Sequence, residues 1–262
     1  MTDKTLINSL IAISAELEHI GAAVPDSIKA LRRLPLEHYR DRLQSSIKAA
    51  GLSLVYPAVK TLSFYRDRLR AAVRDLYRGD ITDIEYLTEM QALIDDQLVG
   101  AWNAGMREAG LDPQTDMTNE MLDALASIIQ NEYDHLIDFA AAILKAKDDQ
   151  TGFEGLYARA DIWANRWTDT KQQALVMSAP SDLNLRWVYG DTDHCSTCEG
   201  LNDIIATSYA WSQSGVRPQN PPNSHLECGG WRCQCNLEPT DDKPSDGNIP
   251  GTAVPCNLRP PK

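Results

Sequence analysis

The position of the cysteines is the feature that most constrains this chain. None of its six cysteines precedes residue 195, and five of them form one constellation, Cys195-Ser-Thr-Cys198 followed by Cys228-Gly-Gly-Trp-Arg-Cys233-Gln-Cys235. A C-x-x-C pair presents two sulfurs from one turn to one ion, and a second cysteine group about thirty residues later can complete a tetrahedral sulfur site. The pattern therefore predicts a small module, held together by metal, behind a long body.

The ligand set of this predicted site has several solutions. Zinc takes four ligands at tetrahedral corners, and Cys195 with Cys198 would supply two of them. The candidates for the other two positions are His225, Cys228, Cys233 and Cys235. Residues two apart on a strand point to one face, which favours Cys233 with Cys235, and Cys228 is the strongest competitor. The candidate ligands of a structural zinc ion are therefore Cys195, Cys198, Cys228, Cys233 and Cys235.

Other interpretations compete with zinc. Disulfides formed after release from the cell, or buried thiols without a ligand, would also bring cysteines together, but a reducing cytoplasm favours metal. Coordination by four cysteines leaves no open position for a substrate water, so the ion would stabilise the fold and not catalyse. His194 and His225 are predicted as loop residues, and Cys256 as a free thiol in a proline-rich segment.

The charge of the chain restricts its classes of partner. With 37 Asp and Glu against 25 Lys and Arg, the net charge is −12. This balance argues against sequence-independent binding along a nucleic-acid backbone, which needs clustered basic residues, and it favours docking on other proteins. No basic segment leading into a long apolar run opens the chain, and no apolar stretch reaches the ~20 residues of a membrane helix. We therefore expect a protein made in a reducing cytoplasm, without membrane contact.

Apolar residues at three- and four-residue spacing predict a mainly α-helical body. Shorter helical pieces are expected over residues 1–55, and a body of long helices over 56–180. The predicted helices of the body are 58–78, one that begins after Asp80 or Thr82 and ends at Gly110, 118–147 and 153–177. Long helices joined by short turns predict an elongated antiparallel bundle.

The character of the sequence changes after residue 178. Residues 181–240 are predicted as a small cysteine-rich α+β module that resembles a zinc knuckle. Its expected elements are a strand at 185–189, helical turns at 199–203 and 208–214, and a closing strand at 231–237. Residues 241–262 are rich in proline and have too few apolar residues to pack alone, so they are predicted as an extended tail.

The tryptophans near the cysteines have two interpretations. Trp187, Trp211 and Trp231 surround the cluster in sequence, and we predict that they form a hydrophobic shell around it. The alternative is base stacking in a nucleic-acid-binding knuckle. No phosphate-binding loop, nucleophile elbow or H-E-x-x-H zinc-protease motif occurs, so the sequence gives no catalytic constellation and we do not expect an enzyme.

The cysteine motif resembles the C-terminal signature of phage head morphogenesis proteins of the Mu F type. The matching parts are Cys195-x-x-Cys198-Glu-Gly-Leu, a loop with Pro221-Pro222 and His225, and Cys233-Gln-Cys235. Helical segments at 78–81, 101–106 and 160–167 are also similar to minor head proteins of tailed phages. The resemblance covers residues 60–240. Gln234 replaces the arginine usual in that family, and Cys228-Gly-Gly is an additional element.

This resemblance implies a low-copy, non-enzymatic structural protein of the virion. It would be made in the host cytoplasm and act in head assembly and in genome packaging or delivery, at the portal or inner capsid. Its partners would be the portal protein, the major capsid protein or both, a scaffold and the packaged DNA, in a symmetric assembly with several copies. The alternatives are a nucleic-acid-binding zinc protein and a toxin-like ADP-ribosyltransferase. The second is disfavoured because no E-x-E motif follows an S-T-S-like strand.

Overall fold

The computed structural model describes residues 62–191, 193–219, 221–230 and 233–261. The helical pieces predicted over residues 1–55 lie outside the described residues, as do Trp231 and Arg232. The described part is mainly helical, with one small antiparallel sheet. In chain order its elements are α1 (Leu62–Arg78), α2 (Asp83–Glu108), α3 (Asn119–Asp148), α4 (Glu154–Ser178), β1 (Asn184–Val188), α5 (Ser196–Leu201), β2 (Ile205–Thr207), α6 (Ser208–Ser214) and β3 (Asn236–Thr240).

Helices α1 to α4 pack as a bundle in which successive helices run in opposite directions. Tyr65 of α1 donates a 2.8 Å hydrogen bond to Asp96 of α2, whereas Arg68, further along α1, pairs with Glu89, earlier on α2. The two chain directions therefore oppose each other. The buried stripes predicted from three- and four-residue spacing form one core, in which Trp102 is fully buried. None of the described helices has the length and apolarity needed to cross a membrane.

The start of α2 shows how local sequence fixes a boundary in this bundle. Thr82 accepts a hydrogen bond from the backbone N–H of Glu85, and the Glu85 carboxylate accepts one from the backbone N–H of Thr82. This reciprocal capping box satisfies two backbone donors that the first turn leaves open. Thr118 caps α3 in a similar way through Met121. The helix starts predicted near these threonines are therefore confirmed.

Helices α2 and α4 lie very close together at Gly105. A Cβ atom built there would overlap the carbonyl oxygen of Lys171 and would lie 2.7 Å from Cβ of Ala174. At Gly100 of α2, the ring of Trp167 fills the corresponding space. The two helices thus touch almost backbone to backbone, which fixes the end of α4 that leads into the sheet.

The three strands form a sheet of order β2-β1-β3, in which both pairs are antiparallel. Leu185 and Trp187 of β1 point to the buried face, where Trp187 packs against Trp211 of α6 at 5.8 Å between ring centroids. The predicted closing strand at 231–237 is wrong in position, because β3 begins at Asn236. Cys233 and Cys235 therefore lie in an irregular segment ahead of the strand, and the strand-face argument for pairing them does not hold.

The C-terminal segment packs against the sheet and is not a detached extension, so the predicted extended tail is wrong for the described residues up to 261. Ile249 and Cys256 are fully buried in the core beneath the sheet. The backbone N–H of Thr207 in β2 donates a 2.9 Å hydrogen bond to the carbonyl oxygen of Cys256, and Ser245 N–H donates a 2.8 Å bond to Ile205. The few apolar residues of the segment cannot form a core by themselves, but here they complete one. We call residues 181–261 the C-terminal module.

The C-terminal module and the bundle share part of their cores. Ala109, just after α2, and Leu175 of α4 belong to the same apolar cluster as the sheet. The side-chain oxygen of Gln172, also fully buried on α4, accepts a 2.9 Å hydrogen bond from the backbone N–H of Leu237 in β3. Helix α4 therefore belongs to both parts of the molecule.

A chain of charged side chains crosses this junction. Arg166 of α4 lies 2.9 Å from the carboxylate of Glu132 on α3 and donates a hydrogen bond to the carbonyl oxygen of Pro221 in the C-terminal module. One turn further on, Asp169 pairs with Arg217, which also belongs to the module. Both carboxylates are buried. The pairs thus connect α3 through α4 to the loop at 216–222.

Candidate metal centre

Cys195 and Cys198 come from the start of a short helix. Cys195 is the N-terminal capping residue of α5 in an extended conformation, and Cys198 lies one turn further on. Residues three apart on a helix share a face, which brings the two sulfurs to 3.5 Å from each other. Cys198 is almost completely buried, whereas Cys195 is half-buried.

Cys228 comes from a tight turn formed by residues 223–230. Gly229 and Gly230 both have positive φ, 62° and 81°, a conformation that residues with a Cβ adopt only with strain. The turn is closed by a 2.8 Å hydrogen bond from Gly229 N–H to the carbonyl oxygen of Leu226. The additional Cys228-Gly-Gly element thus has a geometric role, since it turns the Cys228 sulfur towards α5.

Glu227 attaches this turn to the start of α5. Its carboxylate accepts hydrogen bonds from the backbone N–H of Ser196 at 3.1 Å and from the Ser196 hydroxyl at 2.6 Å, while Glu227 N–H donates to the Thr197 hydroxyl at 3.1 Å. These bonds hold the pKa of Glu227 below its usual range, Ser196 being the main cause. Sequence reasoning missed this residue. Its only signal was an acidic side chain beside a candidate ligand.

Cys233 and Cys235 complete the constellation from the segment before β3. Both are buried. The carbonyl oxygen of Cys235 accepts a 2.9 Å hydrogen bond from the side chain of Gln219, which holds the segment in place. A Cβ at Gly190 would overlap the Gln234 backbone, so the segment passes directly against the end of β1.

The five sulfurs form two groups of three that share Cys198. The first group is Cys195, Cys198 and Cys228, and the second is Cys198, Cys233 and Cys235. Within each group all sulfurs lie within 4.8 Å of one another, a spacing that can hold a metal ion. All six cysteines of the chain are free thiols. The predicted convergence of sulfurs from two distant stretches is therefore confirmed, with all five candidate ligands in one place.

Hydrogen bonds among the sulfurs favour thiolate at two of them. Bonds from Cys198 and Cys233 lower the pKa of Cys235 to about 3, with smaller contributions from Gly190 and Trp187. The pKa of Cys198 is raised because it donates to Cys233 and Cys235. Partial burial acts to raise the pKa of Cys195, but backbone hydrogen bonds with Cys198 and Cys228 lower it overall. The thiolate is the form of cysteine that binds metal.

The two candidate histidines have different positions. Nδ1 of His194 lies 3.7 Å from the Cys235 sulfur, and its ring stacks on Tyr189 at 3.8 Å between centroids. His194, predicted as a plain loop residue, is therefore a neighbour of the cluster. The ring of His225 instead lies close to Gly215, and the backbone N–H of His225 donates to Asn223. His225 is in neither group of potential ligands.

The described tryptophans of the module form a shell, as predicted. Trp187 and Trp211 are 0% and 2% exposed, and the Trp211 indole N–H donates a 2.9 Å hydrogen bond to the carbonyl oxygen of Leu185. Neither ring offers a free face on which a base could stack. Trp231 lies outside the described residues.

Comparison with known proteins adds no relative from which a role could be transferred. No protein-family model, curated protein or solved structure matches this chain. Statements about its chemistry therefore depend on the geometry above: five free thiols from three segments, gathered around Cys198, with one imidazole beside them.

Proposed function

We propose that this chain is a non-enzymatic structural protein of a tailed-phage head, in which the cysteine cluster binds zinc. The observation that carries the proposal is the meeting of the C-x-x-C turn with Cys233 and Cys235 around Cys198, because these residues carry the resemblance to head morphogenesis proteins. The chain would act in head assembly and in genome packaging or delivery, next to the portal and the major capsid protein.

Zinc suits the donors and the surroundings of the site. Thiolates select zinc and other soft cations, and zinc bound by four protein ligands leaves no position for catalysis. Cys228, Cys233 and Cys235 lie between α6 and β3, where the described residues form no helix or strand. An ion that binds them together with the cysteines of α5 would therefore stabilise this loop. In this proposal the zinc-knuckle character of the module is a structural device.

The bundle supplies the second part of the proposed role. Helix α4 of the bundle shares a buried core with the module at Gln172 and Leu175, so a force applied to the bundle would be transmitted to the module. A protein that joins portal and shell needs such a rigid connection. We therefore propose that several copies are placed symmetrically around the portal, with the bundle as the main docking surface.

Particles produced from the genome that encodes this chain would test the role. We expect quantitative mass spectrometry to find the wild-type chain in procapsids, in mature heads or in both, at low copy number relative to the major capsid protein. The double variant Cys198→Ser/Cys233→Ser should be incorporated at least several-fold less. The matched control is Cys256→Ser, which removes a buried thiol outside the cluster and should be incorporated normally. Absence of the wild-type chain from both kinds of particle would refute the proposal.

A further inference from the structure

We infer that the cysteine cluster holds two zinc ions bridged by the sulfur of Cys198. This inference rests on the metal-binding part of the proposed function and extends it from one ion to two. The first ion would bind Cys195, Cys198 and Cys228, and the second would bind Cys198, Cys233 and Cys235.

The grouping of the sulfurs is the first support. Zinc–sulfur bonds of about 2.3 Å place the sulfurs of a tetrahedral site about 3.8 Å apart. Among the described residues, potential ligands that all lie within 4.8 Å of one another form groups of three, and both groups contain Cys198. One ion at either group would leave the other two cysteines without metal. A thiolate has lone pairs for two ions, so the Cys198 sulfur can bind one ion in each group.

Burial and charge are the second support. Cys233 and Cys235 are 9% and 0% exposed, and a buried thiolate without a cation is strongly unfavourable. Arg186 and Arg217 do not supply a cation to these sulfurs, because they pair with Asp242 and Asp169.

The two ions would differ in their surroundings. Nδ1 of His194 lies 3.7 Å from the Cys235 sulfur, but His194 is in neither group of potential ligands. The first ion would lie between the half-buried Cys195 and Cys228, whereas Cys233 and Cys235 at the second ion are buried. We therefore expect the first ion to exchange faster with a chelator than the second.

Zinc titration of the full-length protein tests the stoichiometry. Metal-free protein, kept reduced and free of oxygen, would receive Zn²⁺, and bound zinc would be counted by native mass spectrometry and elemental analysis. We expect two ions per chain in the wild type and in the control Cys256→Ala. Cys228→Ala and Cys235→Ala should each keep one ion, and Cys198→Ala should lose both. A wild-type value of one ion, unchanged in Cys228→Ala, would overturn the two-ion centre but not the zinc protein. A value of zero would overturn both.

Cadmium NMR gives a test that needs no variant to fold. With ¹¹³Cd²⁺ in place of zinc, the wild-type chain should show two resonances from sulfur-rich sites. Each should be split by coupling to the other, because the shared Cys198 sulfur connects the two nuclei. Two unsplit resonances would contradict the bridge, and a single resonance would contradict the second ion.

Discussion

Glu132 shows how a single buried residue makes the stability of this protein depend on pH. Burial raises the pKa of its carboxyl group, and the opposing effects of Arg166, Asn131 and His135 do not cancel this. The folded state therefore holds the proton more tightly than the unfolded state, whose pKa is near the ordinary 4.5. Protonation of Glu132 therefore stabilises the folded protein. This stabilisation is complete below the ordinary pKa of the unfolded state and is lost as the pH rises through the raised pKa of the folded state.

We therefore predict that Glu132→Gln changes the pH dependence of unfolding. In the wild type this carboxyl group should make the free energy of unfolding fall as the pH rises above the ordinary pKa of 4.5, and the variant should lack that part of the slope. Urea unfolding followed by circular dichroism at several pH values above 4.5 would measure it. The control is Glu120→Gln, at an exposed position on the same helix. If wild type and Glu132→Gln have the same slope, the pKa of this carboxyl group is not raised by folding.

At the scale of secondary-structure elements, the contact between α2 and α4 leads to a prediction about Gly105. Replacement by alanine puts a methyl group against the Lys171 carbonyl and Ala174, and overpacking of this kind costs about 1–3 kcal/mol. Gly155 of α4 has open space around it, so Gly155→Ala should instead leave stability unchanged or raise it by up to about 1 kcal/mol. Chemical unfolding of both variants measures the difference. Equal effects would mean that helix propensity decides and that packing does not.

The elements also show what local sequence could predict. Helices α1 to α4 follow from apolar spacing, with a capping threonine before α2 and before α3, because these signals act over a few residues. The convergence of the cysteines followed from the geometry that metal requires. Three features were not predicted from the sequence. Cys233 and Cys235 lie ahead of β3, Glu227 attaches its turn to α5, and the segment with Cys256 packs against the sheet. Each of these depends on contacts with distant residues in segments that have no periodic pattern.

At the scale of the whole molecule, Gln172 tests whether bundle and module are mechanically one body. In Gln172→Met the backbone N–H of Leu237 loses its acceptor in a buried place, which costs about 1–3 kcal/mol. Because the bond joins α4 to β3, we expect deuterium uptake to rise first in β3 and β1, and much less in α1 to α3.

Hydrogen exchange followed by mass spectrometry resolves these segments, with Gln114→Met at an exposed loop position as the control. Unchanged uptake in β3 would show that the shared apolar cluster alone carries the junction, whereas an equal rise everywhere would show that the chain unfolds only as a unit. The graded pattern is expected because α4 is joined to β3 by the Gln172 bond and also packs against α6 of the module.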